Sequence, residues 1–155
     1  MVSKKIRDIL DAMRTAETVA SVVYQNPSRA NVDLSQAAEP MAVYFCTTDG
    51  TFDVGSNTMR ESARVQLAFI VRAADISVDG ITNDGKLETI RPLIADFFAR
   101  LRNKRTLTTG DVTYRVLYQY DDTNTTGYLL EFTATEKQGD CITLAPTPDP
   151  DEDNH

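Results

Sequence analysis

The chain predicts an α+β fold: a mixed or antiparallel sheet of about five strands with two helices packed on one face, in the order α-β-β-β-α-β-β. Three observations carry this expectation. Two segments, near residues 4–16 and 87–101, repeat their apolar residues at helical spacing. Three others alternate apolar and polar residues with a period of two. The strands also come in runs separated by one long helix, the pattern of an α+β chain rather than of a doubly wound parallel sheet.

In the first segment Ile6, Ile9, Leu10 and Met13 form the stripe, with Ala12 and Ala16 filling it and Ser3 as the expected N-cap. The helix should stop near Thr18, where Val19 to Tyr24 turns to β-branched and aromatic residues. A loop to Glu39-Pro40 follows. Met41-Ala-Val-Tyr-Phe-Cys46 is almost continuously apolar, so it reads as a strand covered on both faces. Thr47 to Asn57, with Asp49-Gly50 and Gly55-Ser56, reads as a polar loop. The third strand sets Val65, Leu67, Phe69 and Val71 on one face. The second helix places Leu87, Ile90, Ile94, Phe97 and Leu101 in one stripe, and Pro92 argues for a start near Thr89, because proline is best tolerated in a first turn. Arg100, Arg102, Lys104 and Arg105 suit its C-terminal dipole. A closing hairpin from Val112 to Thr135 sets Val112, Tyr114, Val116, Tyr118 and Tyr120 in one stripe and Tyr128, Leu130, Phe132 and Ala134 in the other, around the polar loop Asp121 to Gly127.

With 155 residues, 41% of them hydrophobic and 25% charged, the chain fits one domain over residues 1–144 and an acidic, disordered tail over 145–155. Such a length buries about two thirds of its unfolded surface, so the core needs neither metal nor disulfide. Cys46 and Cys141 read as buried thiols. No apolar run has the length of a secretory signal or a membrane span, and a soluble protein is expected. Of the formal charge of −7, five acids lie from Asp140 onward; without them 18 acids face 16 bases. A body so balanced does not suit general nucleic-acid binding, which needs a basic surface.

Catalytic signatures are sparse. The single histidine is His155, at the end of the tail, so neither a Ser-His-Asp nor a Cys-His site is expected in the fold. There is no Gly-rich phosphate loop. Asp75-x-Ser77-x-Asp79-Gly80-x-x-Asn83 imitates a calcium loop, but Lys86 stands where the bidentate Glu belongs, so it reads as a turn-rich loop. Asp49, Asp53, Asp75, Asp79 and Asp84 read as loop aspartates rather than a magnesium site. No catalytic residue, cofactor or metal is expected, and the chain is not expected to be an enzyme.

Ala68 and Ile70 of the third strand, and Leu117 and Leu129 of the hairpin, lie on the sheet face opposite the main stripe. Two helices cover one face, so this second face should stand partly exposed and drive self-association.

The stretch from Arg60-Glu-Ser-Ala-Arg-Val-Gln-Leu-Ala-Phe-Ile-Val71-Arg72, through Ile90-Arg-Pro-Leu-Ile-Ala-Asp-Phe-Phe98, to the hairpin from Val112 to Thr135, with the Lys4 to Met13 helix before it, resembles the tail-terminator (tail-completion, head-tail joining) proteins of long-tailed bacteriophages. The resemblance is one of element order and size. It implies a structural virion protein, assembled in the host cytoplasm, forming a homo-oligomeric ring, commonly of six copies. Such a ring caps the tail tube, joins it to the head connector and lets DNA pass without binding it. Ring contacts in that family come from sheet edges and loops, here Asp49 to Met59 and Asp121 to Gly127. Phe52, Met59, Arg60, Asp121, Asp122 and Asn124 are the residues expected at subunit or tube contacts. The acidic tail departs from the family pattern. Another head-tail joining or minor capsid protein, or a small oligomeric ligand-binding module, fits the same features.

Overall fold

A computed structural model describes residues 1–25, 38–45, 47, 49–72, 80–120, 125–137 and 142–144, with the backbone alone at 80–82 and 118–120. The elements are α1 (Val2–Thr15), β1 (Ser21–Gln25), β2 (Met41–Phe45), β3 (Gly50–Val54), β4 (Thr58–Arg72), α2 (Gly80–Lys104), β5 (Leu107–Thr109), β6 (Thr113–Tyr120), β7 (Thr125–Glu136) and β8 (Ile142–Thr143). Among the described residues the class is α+β with two helices and a mixed sheet, as expected, but the sheet has eight strands rather than about five.

The eight strands lie in five lanes. The long strand β4 is central. On one edge β2 pairs with its residues 66–70 and β3 with residues 59–63, end to end. On the other edge β7 pairs with residues 62–72 and β8 with 58–59. Beyond β7, β6 and β5 share the next lane. Beyond β2 lies β1, the one parallel neighbour. The three extra strands are β3, from the polar stretch 47–57 read as a loop, and the short β5 and β8, from segments for which the sequence predicts no element. All five residues of β3 are exposed. A strand with no buried face shows little apolar alternation, here only Phe52-x-Val54 among polar residues.

Register decides which side chains share a face. Phe69 stands opposite Ala42 and Tyr128, and Leu67 opposite Tyr44 and Leu130, so the odd-numbered residues of β4 face the helices. There Ile6, Ile9, Leu10 and Met13 of α1, and Leu87, Ile90, Leu93, Phe97 and Leu101 of α2, close over Val65, Leu67, Phe69, Leu130 and Phe132. Phe97 is edge-on to Phe69 at 6.1 Å and to Phe98 at 5.1 Å, in an aromatic knot with Phe132. Both helices thus lie on one face, as the stripes predict. Buried residues of this size contribute about 1.5–3 kcal/mol each.

The second face corrects an expectation. Ala68 and Ile70 are fully buried and Leu129 is 8% exposed. They form a second apolar cluster with Met41 and Val43, joined by Val23, Phe45 and the half-buried Leu117. The sheet therefore has apolar packing on both sides, as the unbroken apolar run of β2 implies, and this face is not the exposed surface that the pattern suggested.

Three further details differ. Ser3 lies inside α1, where its Oγ is 2.9 Å from the Tyr44 hydroxyl, and Met1 is the N-cap without a side-chain cap bond. The first turn is served instead from across the fold: Glu61 Oε1 accepts the Val2 N–H at 2.7 Å. Second, α1 ends earlier than Thr18, in a Schellman pattern: Thr18 N–H reaches Met13 O at 2.9 Å and Glu17 N–H reaches Arg14 O at 3.0 Å, with Glu17 at φ 61°. Third, Pro92 lies inside α2 rather than in its first turn. A mid-helix proline costs about 3 kcal/mol. The earlier turns offset this by burying Leu87 on the Ile90 side, while Glu88, whose carbonyl loses its donor, faces outward. Gly80 to Asn83 of the calcium-like motif are helical; its remainder, both cysteines and the tail 145–155 lie outside the described residues.

Candidate assembly surface

Strand β4 runs past the helix layer. Ala63 is its last fully covered residue toward Thr58, and α1 begins beside Glu61. The overhang, with β3 and β8 on its two edges, makes a three-stranded tongue. Its register stacks Val54, Met59 and Ile142 side by side, with Phe52 opposite Glu61 one pair further in. All four apolar residues lie on the helix-side face, where no helix reaches. Phe52 is 61% exposed, Val54 62% and Ile142 54%, with Met59 half-buried among them. Arg60 points to the other face and pairs with Asp53 at 3.1 Å. Gly50 holds β3 close: an added Cβ would strike the Ser62 carbonyl and lie 3.1 Å from Ala63 Cα.

A second exposed stripe lies on the opposite flank of the sheet. Val112, Tyr114 and Val116 were expected to alternate into the core, yet they are 37%, 63% and 42% exposed. The physical reason is reach: β6 is the outermost lane, and α2 covers β7 but not the strand beyond it. Tyr114 packs edge-on against Tyr128 at 5.3 Å. With Ile94, Phe98 and Arg91 of α2 they border an open apolar hollow of about 570 Å³. Burial pushes the Tyr128 hydroxyl pKa up, and the Arg91 charge partly opposes it.

The fold's strongest electrostatic cluster is at the root of the tongue. Glu136, 4% exposed, takes the α-ammonium of Met1 and Lys5 Nζ on Oε2, each at 3.1 Å, and the Glu61 N–H on Oε1 at 3.0 Å. Burial alone would raise this carboxyl, but the Glu61 amide and the two cations outweigh it, so its pKa is held below the usual value. Every partner is structural: the cluster pins the start of α1 to β4 and β7. A polar hollow of about 440 Å³ on the far face is lined by Asp49, Ser62, Arg64, Asp111, Thr113 and Glu131. Within it Glu131 meets Arg64 at 3.7 Å, and it also meets Arg115 at 3.3 Å. Among the described residues no group of three metal-ligating side chains converges. Nor is any described helix long and apolar enough to cross a membrane.

Of the residues singled out in the sequence, the structure brings Phe52 and Met59 together on the tongue and places Arg60 behind them; Asp121, Asp122 and Asn124 lie outside the described residues. Thr125 to Gly127, read as loop, belong to β7, and Thr125 and Thr126 are buried. Sequence reasoning missed Val54, whose signal is the Phe52-x-Val54 alternation, and Ile142, which has none. The chain matches no model of a known protein family and no curated protein sequence.

Proposed function

We propose that this chain is a structural assembly protein of the tail-terminator kind, a non-enzymatic virion component. Copies of it form a ring that caps a tail tube and joins it to the head connector. The observation that carries the reading is the tongue, which holds four apolar side chains beyond the reach of the chain's own helices. Such a patch marks a contact surface. The second sheet face, sheltered within the chain, does not contribute, so assembly runs through the rim of the sheet. The tail-tube and connector proteins are the further partners, and DNA passes through without sequence recognition.

The test is direct. Purified protein, alone and mixed with tail tubes, is examined by light scattering and negative-stain electron microscopy. Rings, and tubes that stop growing when capped, support the reading. A monomer that neither rings nor caps tubes refutes it. One observation favours a second reading: the hollow beside Tyr114 and Tyr128 has the volume of a small-molecule site. A small oligomeric ligand-binding module would show saturable binding of an aromatic or apolar compound there, lost in Tyr114→Ala.

A further inference from the structure

Two edges of the sheet are unpaired among the described residues, and they match. Strand β1 stops at Gln25, level with Phe45 and so with Gln66, and no described strand neighbours β3 on its outer edge. All five β3 residues are exposed, so the edge is open. At the other flank β6 pairs only with β7. Each edge carries apolar side chains on the helix-side face, Phe52 and Val54 on one and Tyr114 and Val116 on the other. On the opposite face the charges are complementary. Asp53 on β3 is 73% exposed and Arg115 on β6 is 72% exposed, each held only by a surface ion pair, to Arg60 and Glu131 respectively.

We infer that β3 of one copy pairs antiparallel with β6 of the next, setting Phe52 against Val116, Asp53 against Arg115 and Val54 against Tyr114. This rests on the ring reading and names its joint. The direction follows from the sheet itself. β3 is antiparallel to β4, β4 to β7 and β7 to β6, so β3 and β6 run oppositely within one copy. A neighbour with the same face toward the helices therefore presents β6 antiparallel to β3. In this register every apolar residue meets an apolar residue on one face, and Asp53 meets Arg115 on the other. Because the pleat has a period of two, a slip of one residue would break the charge pair, setting Asp53 against Val116 or Tyr114 and Arg115 against Val54 or Phe52. Main-chain hydrogen bonds between two free edges supply affinity, and the side chains supply register. The two edges differ, so the contact is heterologous and generates a ring or a filament rather than a two-fold dimer. The edges are also offset along the strands: Phe52 stands level with Glu61, and Val116, through Tyr128, with Phe69. Successive copies therefore step along the strand direction, the stagger by which closed sheets acquire strand tilt.

The experiment uses the full chain and two charge reversals, Asp53→Arg and Arg115→Asp, both at exposed sites, with unchanged thermal melting as the folding control. Sedimentation velocity is run from low to high micromolar concentration. Wild type is expected to assemble. Each reversal sets like charges across the joint and should raise the concentration needed for assembly by at least about tenfold. An equimolar mixture of the two variants should assemble again. The arginine introduced on β3 of one variant then faces the aspartate introduced on β6 of the other, and the native pair forms at the alternate joints. Closed rings from the mixture should contain an even number of copies. Reversals that leave assembly intact, or a mixture that stays dissociated, would overturn this joint while the ring reading stands. Wild type that neither assembles alone nor caps tail tubes would overturn the ring reading and the joint with it.

Discussion

Replacing Glu136 with glutamine keeps the shape of the side chain and removes its charge. The glutamine carbonyl still accepts the Glu61 N–H that now lies at 3.0 Å. Its amide nitrogen, however, turns toward the Met1 ammonium and Lys5 Nζ, two donors that share Oε2 at 3.1 Å in the native chain. Lys5 is 21% exposed and loses a charge-assisted bond of about 1.5–3 kcal/mol. The ammonium is 68% exposed, so its share is that of a surface pair, under about 1 kcal/mol. The expected loss is about 2–3 kcal/mol, read by urea unfolding at neutral pH, or roughly 5–10 °C in melting temperature for a chain of this size. The pH dependence is a second readout. The native carboxyl is held below its ordinary value of 4.5, so between the two pKa values the unfolded chain binds more protons than the folded one. Stability from Glu136 is therefore complete above the unfolded value and is lost as pH falls through the folded one. The gap between wild type and Glu136→Gln should be widest near neutrality and shrink as pH falls below the ordinary value of 4.5 and through the lower folded one. A loss under about 0.5 kcal/mol, or a gap that does not move with pH, would refute the view that this cluster pins α1 to the sheet.

Gly127 faces Ile70 across the sheet, and an added Cβ would collide with the Phe69 carbonyl and lie 2.7 Å from Ile70 Cγ2. Gly127→Ala should cost about 3 kcal/mol in chemical denaturation, whereas Gly110→Ala, with nothing within 4 Å, should change stability by less than about 1 kcal/mol. Glu17 occupies the left-handed position that ends α1, so Glu17→Gly should raise stability by about 1 kcal/mol; a loss of stability would show that the Schellman turn is not what holds that end. Phe52→Ser together with Val54→Ser should leave the melting temperature within about 2 °C of wild type, since both residues are exposed, yet weaken assembly in light scattering. A large drop in melting temperature instead would mean the tongue is packed within one chain.

The helices and the central strand were legible because their burial is one-sided or complete. The stripes of α1 and α2 repeat where each helix meets the sheet, and Val65 to Val71 alternates because one face lies under them. Pro92 misled, since a local rule about helix starts was outweighed by Leu87 packing a turn earlier. The candidate surface was half legible: Phe52 and Met59 were expected at contacts because the family resemblance places them in a projecting segment. Ile142 gave no sign, because it joins them only through pairing with β4, far away in sequence.

The sequence by itself determined the class of the fold, the two helices on one face and the apolar centre of the sheet, all properties of short-range periodicity and composition. Only the tertiary structure decided which apolar stripes are covered. Ile70 and Leu129 are buried and Tyr114 and Phe52 exposed, though all four alternate in the same way. Periodicity says that residues share a face. Whether anything lies over that face depends on the length of α2 against the width of the sheet, and on the cross-strand register that carries β4 past its helices.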